Sequence, residues 1–171
     1  MSDVEVNPLA LPNDWGWQIG QRFLAGAQLC GFECEKAWVT SRLDPPLCCD
    51  PCQLAVFVIE DLEHLEAPSC CYEPVAHVLV MVDLCRPQLE ADDPTWQEKD
   101  AETASDNAIK RGTILMGIRR MLDGYGVDFQ ASIIDPIRLT CANVDQPGQW
   151  SIVAEEGVCE RWAIRFDVHL R

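Results

Sequence analysis

Ten cysteines are the side chains of this 171-residue chain best suited to chemistry. They fall at positions 30, 34, 48, 49, 52, 70, 71, 85, 141 and 159, and are densest in the run LCCDPC at 47–52. Four chemistries compete for such a set. A structural zinc ion needs four soft ligands converging tetrahedrally, commonly as two C-x2-C pairs. Cys49-Asp50-Pro51-Cys52 is one such pair, so Cys48, Cys49 and Cys52 are the candidate metal ligands. The second pair is missing: Cys70 and Cys71 are adjacent, and neighbouring side chains diverge in a strand. Cys30 and Cys34 would share a face if they lay on one helix. A thioredoxin-like centre wants its C-x-x-C where a strand gives way to a helix, whereas here it runs into a strand. Disulfides belong to oxidising surroundings, and would form here only if the protein ends in an extracellular particle. The reading preferred on sequence is that cysteine serves as a small buried hydrophobe; no metal and no cofactor is expected.

Other catalytic constellations do not assemble. His64, His77 and His169 sit in no metal-binding or deaminase motif, and His77 and His169 fit ordinary strand positions. No phosphate-binding glycine loop or nucleophile elbow is present. The acidic stretches EDLEHLE and EADD are expected to solvate loops or edges. No catalytic residue is named, and the chain is read as a non-enzyme.

Charge narrows the partners. Twenty-eight acids against 13 bases give a net charge of −15, which argues against sequence-reading of DNA or RNA. Lysine is scarce, with only Lys36, Lys99 and Lys110. The first residues, MSDVEVNPLALPNDWGW, lack the basic and apolar regions of a signal peptide, and no apolar run spans a membrane. The expectation is a protein made in a cytosol and delivered from it, if at all, by assembly.

The elements that must carry these residues follow from periodicity. Residues 1–13 are expected to form an extended arm, with the rest of 1–171 a single domain. A helix is predicted from about Trp15 to Cys30, with Gly31 as its stop. A strand follows over Lys36–Leu43, then the turn-rich DPPLCCDP. Cys52–Ile59 and Pro74–Pro87 read as strands, the first covered on both faces. The longest helix opens at Pro94 or Thr95 and closes at Gly124, with Ala101, Ala104, Ala108, Leu115, Ile118 and Leu122 as its buried stripe. Acids at its start and bases at its end suit the helix dipole. Strands are predicted at 137–141 and 150–156, across the turn NVDQPGQ. The last strand, 159–170, alternates most clearly: Trp162, Ile164, Phe166, Val168 and Leu170 face the core, and Arg161, Arg165, Asp167 and His169 face out. The sum is an α+β fold, an antiparallel or mixed sheet flanked by two main helices.

The order of segments carries a resemblance. An N-terminal helix precedes WVTSRLDPPLCCDPCQLAVFVIEDLEHL, then CCYEPVAHVLVMVDLCRPQLEADDPT, the helix DAETASDNAIKRGTILMGIRRML, and the closing CERWAIRFDVHLR. Over roughly residues 18–170 this resembles the small neck and tail-completion proteins of long-tailed actinobacterial phages, in particular tail terminators. The resemblance implies a sheet-and-helix subunit of a homohexameric ring in the virion. Such a ring stops tube polymerisation, meets the tail tube protein on one side and the head's connector or stopper on the other, and lets DNA pass through its lumen. A ring needs two complementary patches per subunit. Aromatic residues are enriched at interface centres, so Trp15, Trp17 and Trp96 are the candidate contacts. A net acidic lumen would keep DNA from sticking. The alternatives are another connector or stopper protein, or a cysteine-rich zinc-binding or redox module.

Overall fold

A computed structural model describes residues 14–64, 72–123, 142–144 and 148–170. The predicted arm at 1–13, the strand at 137–141 and the stop at Gly124 lie outside the described residues, as do Cys70, Cys71 and Cys141. The architecture is α+β. Two helices, α1 (Trp15–Gln28) and α2 (Trp96–Leu122), accompany a mixed sheet of β1 (Lys36–Val39), β2 (Gln53–His64), β3 (Tyr72–Cys85), β4 (Ala142–Val144), β5 (Ser151–Glu156) and β6 (Cys159–Leu170). The sheet order is β1-β2-β3-β6-β4, with β5 also pairing β6. β1 runs parallel to β2, and every other pairing is antiparallel.

Strand chemistry explains the centre of the sheet. β3 and β6 pair over eleven register positions, Val75↔His169 to Cys85↔Cys159. Their β-branched and aromatic side chains, Val78, Val80, Val82, Ile164, Phe166 and Val168, all point to one face and are buried. Both helices cover this inner face. Ile19, Phe23 and Ala27 of α1 and Ile114 and Ile118 of α2 join it in one core, where the Phe23 and Phe166 rings meet at 5.1 Å between centroids. Gly157, at φ +59°, opens the two-residue turn that joins β5 to β6.

The helices are fixed by contacts that propensity does not foresee. Glu60, on β2, accepts a hydrogen bond from the Gly16 backbone N–H at 3.1 Å, so a strand carboxylate serves the first turn of α1. Where α1 and α2 cross, a β-carbon on Gly117 would run into the carbonyl oxygen of Gly26. The crossing is therefore as close as two glycines allow. Asn107 of α2 donates to the carbonyl of Cys85 at 3.0 Å, and the Arg111 guanidinium lies 3.7 Å over the Trp162 ring.

Several expectations need correcting. β2 continues to His64 and carries Glu60, Asp61 and Glu63 on a strand rather than in a loop, because β3 supplies backbone partners that far, to His64↔Tyr72. β2 is not covered on both faces: Ile59 on the outer face is 47 % exposed. The buried positions of α2 are Asn107, Ile114, Gly117, Ile118 and Met121, while Ala101, Ala104 and Ala108 are exposed. None of the residues in the first three turns of α2 is buried. Asn143 and Val144, expected in a turn, form part of β4. The strand beginning at Lys36 stops at Val39, where the Thr40 hydroxyl accepts from the Arg42 N–H and turns the chain away. No helix among the described residues is long and apolar enough to cross a membrane.

Candidate functional site

A parallel pair cannot be closed by a hairpin. The chain from Thr40 to Cys52, which includes LCCDPC, therefore crosses one end of the sheet's outer face as a strap. Arg161 and Asp83 hold it from below. They are outer-face neighbours on β6 and β3, with side chains 5 % and 1 % exposed. Arg161 Nε donates to Asp83 Oδ1 at 2.7 Å and Nη2 to Oδ2 at 2.8 Å, a bidentate pair. The remaining guanidinium donors reach the carbonyls of Pro45 at 2.6 Å and Pro46 at 3.3 Å. Asp83 also accepts from the Cys48 N–H at 3.0 Å and from the Gln53 amide, which donates to Pro46 as well. The two prolines leave their carbonyls without strand partners, and the buried cation takes them up. Arg161 was expected to face solvent; it does lie on the outer face, but the strap buries it.

Sulfur fastens the same strap. Cys49 Sγ lies in bonding contact with Cys85 Sγ and with Cys159 Sγ, and Cys52 Sγ with Cys34 Sγ. The three candidate ligands Cys48, Cys49 and Cys52 do not converge: they point to three places, Cys48 turning its thiol to the carbonyls of Asp50 and Pro51 at 3.6 Å. No group of three or more His, Cys, Asp or Glu side chains among the described residues is set to hold a metal ion. Cysteine as mere filler is also incomplete, since five of the seven described cysteines meet another cysteine. Cys30 and Cys34 share no helix, because α1 ends at Gln28 and Gly31 takes φ +95°.

Beyond the strap the outer face carries a small apolar group bordered by charged side chains. Ala55, Met81 and Ala163 form a small cluster with the half-buried Trp38, Phe57 and Leu79, and Ile59 continues it outward. Ala55, Met81 and Ala163 are buried, Trp38, Phe57 and Leu79 are half-buried, and Ile59 is the exposed member; β1 has no strand partner on its outer edge among the described residues. Beside it Trp17, Trp38, Thr40, Arg42, Pro45 and Pro46 line an open cleft of about 430 Å³. Trp17, 52 % exposed, and Trp96, 40 % exposed at the start of α2, stand at the surface as interface candidates, whereas Trp15 packs against the main core.

A charged group borders the stripe. His77 Nδ1 lies 2.7 Å from Asp167 Oδ1, and Arg165 Nε donates to the same oxygen at 2.8 Å. Asp61 Oδ2 is 3.5 Å from His77 Nε2. Burial pushes the Asp167 carboxyl up, but the hydrogen bonds from His77 and Arg165, with their charges, outweigh it and hold it below the usual carboxylate range. An Asp–His pair can orient a general base. Here the positions flanking His77 on the outer face are Val75, Leu79, Ile59 and Asp167, none of them a hydroxyl or thiol that the pair would activate.

Sequence reasoning found the outward position of Arg161, Arg165 and Asp167. It missed the burial of Arg161 and Asp83 and the partners of Cys49. The only signal for the first was the coupling of an Arg and an Asp to a proline-rich crossover. No family model matches this sequence, and no match was found among curated proteins.

Proposed function

We propose that this protein is a ring-forming structural subunit of a tailed-phage virion, acting at the head–tail junction as a tail terminator and having no catalytic role. The observation that carries the reading is the one-sided sheet. Two helices bury the inner face, while the half-buried Trp38, Phe57 and Leu79 and the exposed Ile59 lie on the outer face next to β1, which has no outer strand partner among the described residues. Monomers seldom leave a contiguous apolar patch and a strand edge open together, and both are surfaces for another protein chain. In the proposed ring each subunit offers this face to its neighbour, and a different surface, including Trp96 and the projecting turns of α2, receives it. Closure at six subunits follows from the resemblance noted in the sequence. The remaining partners are the tail tube protein, the connector or stopper of the head, and DNA that slides through an acidic lumen without being read.

Native mass spectrometry of the full chain tests this. A hexamer in solution, or a monomer that becomes a ring on purified tail tubes, is the expected result. A monomer that binds no tail tube, or one isolated with a stoichiometric metal ion, overturns it.

A further inference from the structure

Cys49 has one sulfur and two partners. Its Sγ meets Cys85 on β3 and Cys159 on β6, with Cα–Cα separations of 5.2 and 5.4 Å, both within the span a disulfide bridges. Cys85 and Cys159 are themselves directly opposite on neighbouring strands. A disulfide joins two sulfurs, so whichever link forms leaves the third cysteine as a thiol beside it. Exposure divides the three: Cys49 is buried under the strap, and Cys85 and Cys159 are half-exposed. The pair Cys34–Cys52 nearby has no third member among the described residues.

We infer that Cys49, Cys85 and Cys159 form a thiol–disulfide exchange site. It takes its oxidising equivalents from a low-molecular-weight disulfide and fastens the strap alternately to β3 and to β6. The inference is independent of the ring proposed above. In the first step the thiolate of Cys85 or Cys159 attacks the small disulfide, RSSR, giving a protein mixed disulfide and one RS⁻. The Cys49 thiolate then attacks the protein sulfur of that mixed disulfide and expels the second RS⁻. The sum is two protein thiols and RSSR converted to one protein disulfide and two RSH. The exchange needs no further oxidant. With Cys49 linked to Cys85, the Cys159 thiolate attacks Cys49 Sγ, the new bond forms, and Cys85 leaves as thiolate, ready to attack in turn. Geometry assigns the roles: the half-exposed cysteines meet the small disulfide, and the buried one, carried on the strap, resolves it.

The full chain carrying Cys48→Ser, so that Cys49 is the only cysteine in its peptide, is reduced and equilibrated with glutathione disulfide and glutathione. It is then quenched with acid and an alkylating agent, cleaved by dilute acid at Asp, which opens the labile Asp44–Pro45 and Asp50–Pro51 bonds, then by protease at Glu, and mapped by mass spectrometry. The expected map holds both Cys49–Cys85 and Cys49–Cys159 links in the same preparation, each with the third cysteine alkylated, and a single Cys34–Cys52 link. Cys85→Ser should convert the population to Cys49–Cys159, and Cys159→Ser to Cys49–Cys85. Three outcomes overturn the inference: one Cys49 link only, unchanged across glutathione ratios; a Cys85–Cys159 link in place of both; or three alkylated thiols under conditions that close Cys34–Cys52. A metal ion that must be chelated before any of the three cysteines reacts also overturns it.

Discussion

Arg161 and Asp83 face each other on adjacent strands and meet through two parallel N–H···O bonds, at 2.7 and 2.8 Å. The pair is buried because the crossover from β1 to β2 lies over it, and it is satisfied because that crossover supplies carbonyls and an N–H. Breaking one side of such a pair leaves a charge without its partner. Arg161→Met or Asp83→Leu alone should therefore cost about 3–5 kcal/mol, and the double variant should recover much of it. Urea unfolding of the three variants measures this. If the single variants lose less than the double, the pair is not what holds the strap.

Two glycines of α2 should respond in opposite directions. Gly117→Ala places a methyl against the Gly26 carbonyl, a backbone atom that cannot step aside. Overpacking of this kind costs about 1–3 kcal/mol. Gly112→Ala meets open space and should stabilise by up to about 1 kcal/mol through helix propensity. Thermal melts of both variants settle the sign.

Acid should loosen two specific places. Asp167 is held below the usual carboxylate range as described above. Asp93 is held well below it by the hydrogen bond from Lys99 first, then by those from Thr95. A carboxyl depressed in the folded state contributes stability that is fully present above its unfolded pKa, about 3.9. That stability is lost as pH falls through the lower folded value. Amide protection factors, corrected for the intrinsic exchange rate at each pH, should fall at the start of α2 and around His77 from about pH 4 downward. Unchanged protection at Asp93 and Asp167 as pH drops through that window would be evidence against these contacts.

Surface and fold should separate at the outer face. Phe57→Glu and Trp96→Ala alter exposed or half-exposed side chains, so a folded monomer is expected, with Trp96→Ala within about 0.5 kcal/mol of the parent. Both should lower the oligomer fraction seen by light scattering or the ring occupancy on tail tubes. An unfolded Trp96→Ala monomer would place this tryptophan in the protein's own stability instead.

Glu60 should matter to a helix it does not belong to. Glu60→Ala removes the acceptor of the Gly16 N–H, and a lost cap costs about 1 kcal/mol. Circular dichroism during urea unfolding reads this, and an unchanged midpoint would mean that water replaces the carboxylate.

Local pattern by itself determined the β6 alternation, the existence of both helices, a sheet with antiparallel pairing and the outward face of Arg165 and Asp167. A period of two or of 3.6 is written into neighbouring residues and needs no distant partner. It placed Ile118, Leu115 and Leu122 of α2 against the core, but could not tell where along the helix burial begins, and so extended the stripe to Ala101, Ala104 and Ala108, which are exposed. Only the tertiary structure decided that Arg161 is buried, that Glu60 serves α1, and that Cys49 meets Cys85 and Cys159, thirty-six and 110 residues away. These contacts depend on where a crossover lands and in which register strands pair. That is set by the sum of burial over the whole sheet, and no short stretch such as LCCDPC contains it.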